Sequence, residues 1–364
     1  MMPQASAAKT VPVAVPTPSQ LKPRMRKQRR KEAGASRTGA GLKTKPKSKL
    51  KPKRRNRLGR PLSRRRQHRR TGHPQQPLPV REPNGSTEQQ AAEAYARGLN
   101  DGRYEGGEYL LEQAAPPGLL LAGVELRHAI ALGVEALRST LIPIVDVGTV
   151  WQELEAALQQ GQPYAVVRLG DGELLALAHD LVLDAAAIQR EAPFLSYAGI
   201  DVPDHAARDR LAEAVRHANM VGVPTSRRPF YQPLLIPALN SHGIDIRSIR
   251  VTDSTINYSL YQAGLLRRLL EGRRILAIGN EAYGMAEKLR AMGLHVTGVI
   301  TPIQGFGDID RAVEEARACE FDIALVSAGI PAVVIAVRIA TEMGKVALDF
   351  GHMADQIVKG QVLL

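Results

Sequence analysis

Two carboxylates separated by a single residue, Asp171 and Glu173, are the side chains of this sequence best suited to metal chemistry. They stand in the stretch VVRLGDGE, residues 166–173, where an apolar run predicts a strand and the following LLALA predicts a helix. Hard oxygen ligands at such a turn suit Mg²⁺ or Mn²⁺, which would also hold substrate phosphates. In the alternative interpretation, Asp171 caps the helix and Glu173 favours its dipole.

The residues around the two carboxylates suit a negatively charged ligand. Gly170 and Gly172 flank Asp171 in a tight turn. Arg168, at the predicted end of the strand, could pair with a phosphate or only with Asp171. Because ligands of open α/β sheets bind outside the carboxyl ends of the strands, we interpret Arg168, Gly170 and Gly172 as substrate-binding residues.

A second glycine turn, Gly279-Asn280-Glu281, follows another predicted strand, residues 274–278. Backbone amides at the start of a helix form an anion site, so these three residues are further substrate-binding candidates. A dinucleotide fingerprint requires G-x-G-x-x-G, whereas this stretch reads AIGNEAYG and lacks the second glycine. NAD binding is therefore disfavoured, and a simple strand-to-helix turn is the alternative to a phosphate site.

Asp349 and His352 follow the last predicted strand, residues 346–350, in the stretch DFGH. An aspartate and a histidine at a strand end could complete a metal site or orient a proton carrier. We interpret Asp349 as a substrate-binding residue and His352 as a catalytic one. A turn with a surface histidine is the alternative.

These candidates lie far apart in the sequence, so a fold must bring them together. From residue 164 onward, apolar strand-like segments alternate with helical segments of about ten residues. This alternation predicts an α/β catalytic domain over residues 147–364, with a Rossmann-like, mainly parallel sheet and helices on both faces. The carboxyl ends of parallel strands share one edge, where we expect the three turns to converge.

The first 85 residues differ from the remainder in charge and composition. Residues 1–80 contain 24 Lys and Arg residues and one acid, Glu32, although the net charge of the whole chain is only +13. So few large apolar residues occur there that we expect a disordered tail. Its charge predicts non-specific, salt-sensitive binding of polyanions: nucleic acid, an anionic membrane surface or an anionic envelope polymer. A solvated tail without a dedicated partner is the alternative.

Residues 86–146 form a predicted helical connector between the tail and the α/β domain. Gly98, Gly102 and Gly106 recur at a spacing of four, which places them along one face of a helix. A second helix could approach that face closely, so the spacing suggests a homodimer. A frayed connector is the alternative, because interior glycines each destabilise a helix by about 1 kcal/mol relative to Ala.

Cysteine content and hydropathy bear on the cellular compartment. A single cysteine, Cys319, forms no internal disulfide, which fits a reducing environment. The sequence has no apolar signal-peptide core near its start and no run of about 18 apolar residues. We therefore expect a cytoplasmic protein, associated with an anionic membrane surface, if at all, through its tail.

Three stretches together resemble the GT-D-type glycosyltransferases. The family pattern of an apolar strand, an Arg and Gly-Asp-Gly-Glu is similar to VVRLGDGE, and two later segments extend the likeness. They are ILAIGNEAYGMAEKL and ALVSAGIPAVVIAVRIATEMGKVALDFGH, which ends in Asp-x-Gly-His. The resemblance covers residues 147–359, while the basic tail and the glycine-spaced helix lie outside it.

The resemblance implies a Rossmann-like fold and a metal-dependent hexosyltransferase. Its donor would be a UDP-sugar, typically UDP-glucose, and its acceptor a glycan or glycoprotein. The family's D-x-E carboxylates would fall on Asp171 and Glu173, binding Mn²⁺ or Mg²⁺, and its C-terminal histidine on His352. With aromatic residues at 4% of the chain, no platform for stacking a sugar is evident. A non-catalytic nucleotide-sugar or polyanion binder and a methyltransferase-like enzyme are the competing hypotheses.

Overall fold

The computed structural model describes residues 87–364. The predicted tail, residues 1–85, lies outside the described residues. Within residues 87–364, no helix is both long enough and apolar enough to cross a membrane.

One seven-stranded sheet forms the centre of the described chain, and every pair of neighbouring strands in it is parallel. The strands are β1 (Tyr164–Arg168), β2 (Met220–Val223), β3 (Val251–Asp253), β4 (Ile275–Gly279), β5 (Val296–Ile300), β6 (Ile323–Ser327) and β7 (Val346–Asp349). Their order across the sheet is β3-β2-β1-β7-β6-β4-β5. The first and last strands of the chain are therefore neighbours at the middle of the sheet.

Helices cover both faces of this sheet, which confirms the predicted Rossmann-like α/β fold. The first face carries α5 (Asp171–Ala178), α6 (Ala185–Glu191), α7 (His205–His217), α8 (Gln232–Ser241), α12 (Ile309–Arg317) and α13 (Pro331–Met343). The second face carries α4 (Val147–Gln160), α9 (Ile256–Gln262), α10 (Leu265–Leu270), α11 (Ala282–Ala291) and α14 (Met353–Val358).

Alternating side chains of the strands supply both cores. In β1, Ala165 and Val167 pack into the first core and Val166 into the second. Apolar residues at consecutive positions are what a parallel strand covered on both faces requires. Local signals set the helix ends: the Asp146 side chain accepts hydrogen bonds from Gly148 N and Thr149 N (2.8 and 3.0 Å) at the start of α4.

The chain leaves β1 and β7 in opposite directions. Helix α5 follows β1 onto the first face, whereas α14 follows β7 onto the second. Adjacent parallel strands whose following helices diverge in this way leave a crevice at their carboxyl ends, which is where open α/β sheets bind ligands. The residues that end β1 and β7 are Arg168 and Asp349.

Before the sheet, the described chain is mostly helical, as predicted for the connector. Helix α1 (Thr87–Arg103) continues through a π-helical turn (Tyr104–Glu108) into α2 (Tyr109–Ala114), and α3 (Leu126–Ala136) follows. A Cβ at Gly98, Gly102 or Gly106 would meet nothing within 4 Å. The glycine-lined face is therefore open, and its pairing with a second copy stays a prediction.

Candidate functional site

Arg168 and Asp349 join the two central strands at their carboxyl ends. Arg168 N donates to Asp349 Oδ2 (3.1 Å), Arg168 Nε to Asp349 O (3.1 Å) and Arg168 Nη2 to Asp349 Oδ1 (3.0 Å). Arg168 Nη1 also donates to Ser254 O (3.3 Å) after β3. Burial acts to lower the pKa of Arg168, but the charge and hydrogen bond of Asp349 raise it overall. The guanidinium therefore pairs with Asp349 and links the ends of β1 and β7. The alternative, a pair with Asp171, is wrong.

Gly351 makes room for this guanidinium. A Cβ at Gly351 would lie 1.8 Å from Arg168 Nη2, and the φ of Gly351 is +50°. Both the space and the left-handed backbone favour glycine at this position. We did not single out Gly351 from the sequence, although it stands in the DFGH stretch already noted.

Glu173 helps to start helix α5. Its Oε2 accepts a hydrogen bond from Gly170 N (2.7 Å), so Glu173 takes part in capping the helix, a role that the sequence alternative gave to Asp171. Burial, and next the charge of Asp349, raise the pKa of Glu173 to about 7, against the opposing effects of the Glu173 and Gly170 amides. A carboxyl with such a pKa can exchange a proton near neutral pH.

Asp171 turns away from Glu173. Residues two apart on a helix do not face each other, and Asp171 Oδ2 instead accepts a hydrogen bond from Tyr231 Oη (3.2 Å), in the segment between β2 and α8. Asp171 Oδ1 is 3.0 Å from Gly172 N. Burial and the charge of Asp171 raise the pKa of Tyr231. Asp171 is the first residue of α5 and Gly170 its capping residue, so Asp171 does not cap the helix.

Asp171 could serve as one carboxylate ligand of a divalent cation that the substrate helps to hold. Within residues 87–364, no three His, Cys, Asp or Glu side chains gather as a metal-binding group. Mg²⁺ in phosphate-transferring sites usually needs only one or two carboxylates, with substrate phosphates and waters completing its shell. Among the described residues, no cationic side chain is bonded to Asp171, whereas Glu173 is partly committed to the helix start. Asp171 is therefore the better suited of the two carboxylates to a hard cation such as Mg²⁺ or Mn²⁺.

The Gly279-Asn280-Glu281 turn lies farther along the same edge. Strand β4 is three positions from β1 in the sheet, a separation of roughly 14 Å. Gly279 has φ +134°, and a Cβ there would lie 2.0 Å from Ser327 O, so close strand packing requires glycine. Asn280 Oδ1 accepts from Ile303 N (2.8 Å) and holds the loop after β5. Glu281 is exposed.

His352 is exposed at the start of α14 and makes no side-chain hydrogen bond to another described residue. Behind it, buried Asn257 of α9 donates from Nδ2 to Phe350 O (2.8 Å) and so fixes the chain between Asp349 and Gly351. Asn257, Ser254 and Tyr231 support the site but were not assigned from the sequence.

Comparison with known proteins agrees with this architecture. A family model described as a GT-D fold-like domain matches residues 145–357, the part of the chain that holds the sheet and all the candidate site residues. No curated protein and no solved structure matches the chain. The match spans more than half of the sequence, and the chain therefore belongs to the GT-D-like family.

Proposed function

We propose that the chain is a metal-dependent hexosyltransferase that moves a sugar, glucose as the first expectation, from a UDP-sugar to a glycan or glycoprotein acceptor. The observation that carries the proposal is Asp171, a carboxylate with no cationic partner among the described residues, beside the linked ends of β1 and β7. Membership of the GT-D-like family supports it.

Each part of the donor has a candidate partner along the sheet edge. Asp171, with Glu173, would hold Mn²⁺ or Mg²⁺ against the diphosphate. A cation held there would neutralise charge on the departing UDP. The Gly279-Asn280-Glu281 turn, roughly 14 Å along the edge, suits the nucleotide end of an extended donor. Tyr231 keeps the Asp171 carboxylate oriented through its hydroxyl.

The transfer also needs a group that takes a proton. The acceptor hydroxyl oxygen attacks the anomeric carbon, the bond from that carbon to the UDP oxygen breaks, and the hydroxyl proton passes to a base. Glu173, whose pKa is about 7, and the exposed His352 are the two candidates. Variants of Glu173 and His352 distinguish the two candidates. The rising limb of the pH–rate profile reports the ionisation of the base, so only replacement of the residue that serves as base should remove that limb.

The decisive experiment measures UDP release from UDP-glucose with Mn²⁺ and with a chelator, together with calorimetric binding of UDP. We expect Mn²⁺-dependent turnover that Asp171→Asn lowers by about 10²-fold or more, with weaker Mn²⁺-dependent UDP binding. Glu173→Gln should lower turnover as well. Asp253→Asn, at the end of β3 on the same sheet edge, is the matched control and should leave both readouts unchanged.

Other results would point elsewhere. Full turnover in both Asp171→Asn and Glu173→Gln would exclude the assigned site. Tight UDP binding without turnover would favour the non-catalytic binding protein. Binding of S-adenosylmethionine, indifferent to metal, would favour the methyltransferase-like enzyme.

A further inference from the structure

Two aromatic side chains project from the loop between α6 and α7. Phe194 and Tyr197 are 43% and 93% exposed, whereas their neighbour Leu195 is buried. The segment forms a helical turn, with Ala198 N donating to Phe194 O (2.9 Å). Residues three apart on such a turn lie on the same side, so the two rings face solvent together.

The loop that carries these rings is held closely against the end of β6. Ile330 N donates to Ala198 O (3.0 Å). A Cβ at Gly329 would lie 2.5 Å from that same oxygen, and one at Gly199 would lie 2.9 Å from Pro331 Cδ. Glycines with positive φ at both positions allow this close approach. The exposure of the rings is therefore set by an anchored backbone.

Phe194 lies directly beside the proposed metal site. A Cβ at Gly172 would be 3.7 Å from Phe194 Cε2, so the ring lies next to the turn that carries Asp171. Tyr231 reaches the same turn through its hydrogen bond to Asp171. An exposed aromatic surface thus begins next to the predicted reaction centre and extends outward to Tyr197.

An open aromatic surface suits a sugar better than a nucleobase. Recognition of a base also uses hydrogen bonds to its edge, which the faces of the two rings do not supply. A sugar ring presents C–H groups to an aromatic face and can leave its hydroxyls in water. The position outside the Asp171 turn fits the acceptor, which must reach the donor from solvent.

We propose that Phe194 and Tyr197 stack against a sugar ring of the acceptor glycan and position its hydroxyl at the Asp171 turn, an inference that rests on the proposed function. The low aromatic content suggested no such platform from the sequence. The fold nevertheless brings these two rings to the site.

The test uses the full chain on a printed array of neutral oligosaccharides that end in glucose, galactose or N-acetylglucosamine. Neutral probes avoid retention by the basic tail. We expect binding to at least one class, weakened about tenfold in Tyr197→Ala and lost in Phe194→Ala/Tyr197→Ala. Tyr95→Ala, which removes a tyrosine that is 74% exposed in α1, is the matched control and should bind as the unaltered protein does.

Calorimetric binding of UDP with Mn²⁺ and thermal unfolding of each variant complete the experiment. We expect both to match the unaltered protein. Failure of the unaltered protein to bind any neutral glycan, retained binding in the double variant, or a parallel loss of UDP affinity would each overturn the platform. If glycan binding depends on Tyr197 but UDP does not bind at all, the proposed transferase function fails while the glycan platform stands.

Discussion

Gly351 leaves free the space that the Arg168 guanidinium occupies: a Cβ there would lie 1.8 Å from Arg168 Nη2. Gly351→Ala should therefore displace the guanidinium and weaken its bonds to Asp349. Gly360→Ala is the matched control, since Gly360 also has positive φ (+70°) but open space around its Cβ position. We expect the control to lose about 1 kcal/mol of unfolding free energy and Gly351→Ala about 2 kcal/mol more. Equal losses by denaturant titration would contradict the steric explanation.

The Arg168–Asp349 pair should be strongly coupled, because Asp349 is only 3% exposed. Arg168→Met leaves that carboxylate buried without its partner and should cost about 3–5 kcal/mol. Adding Asp349→Asn should restore part of the loss, and a double-mutant cycle measures the coupling. Arg138→Met, which breaks an exposed pair with Glu135, should have a far smaller effect on stability, because solvent screens that pair. Additive effects of Arg168→Met and Asp349→Asn on the free energy of unfolding would argue against energetic coupling of the two side chains.

His179 should contribute a loss of stability in mild acid, against the opposite contribution of Glu173, whose raised pKa of about 7 stabilises the folded chain as the pH falls. The ring is buried, its Nδ1 contacts Ala176 O (2.6 Å) and its Nε2 accepts from Asp204 N (3.2 Å), so both nitrogens are engaged in the neutral form. Burial lowers the pKa of His179, although Asp180, His205 and Arg208 also act on the ring. The unfolded chain then binds more protons than the folded one below about pH 6.5. This contribution is fully present above that pH and is lost as the pH falls.

Thermal unfolding between about pH 5 and 7 tests the histidine. Toward acid, His179→Gln should lose less stability, or gain more, than the unaltered protein does. His217→Gln, at the exposed end of α7, should follow the unaltered protein. An unchanged slope in His179→Gln would assign the acid sensitivity to other groups.

The basic tail should dominate binding to polyanions. Without residues 1–85, the chain is acidic, so we expect it to lose retention on heparin or polyphosphate. Binding of the full chain should weaken steeply between about 50 and 200 mM salt. A tail of equal length with Gln in place of Lys and Arg is the control for length. Salt-insensitive retention, or retention without the tail charges, would contradict this role.

The open glycine face of α1 predicts self-association that a larger side chain would block. Gly102→Leu should raise the fraction of monomer in sedimentation equilibrium, although leucine favours the helix itself. Asn100→Leu, placed on the opposite side of α1 from Gly102, is the control and should leave the association unchanged. A monomeric unaltered protein would dismiss the homodimer.

Local sequence patterns were sufficient for much of the fold. Consecutive apolar residues predicted the alternation of strands and helices, since double-sided burial needs few polar positions. Helix α13 runs from Pro331 to Met343 because proline starts it and Gly344, with φ +66°, ends it. In α8, Pro237 lies inside the helix and obscures its helical pattern in the sequence.

The sequence by itself determined that Asp171, Glu173, Gly279 and Asp349 stand at or near strand ends. Strands and turns are specified by the order of apolar, glycine and polar residues over a few positions, which the sequence shows directly. Only the tertiary structure decided the strand order, and with it the pairing of Arg168 with Asp349 across 181 positions of the chain. It also turned Asp171 toward Tyr231, 60 positions later in the chain. Those choices depend on which helices pack on each face of the sheet, a property of the whole core that no single stretch encodes.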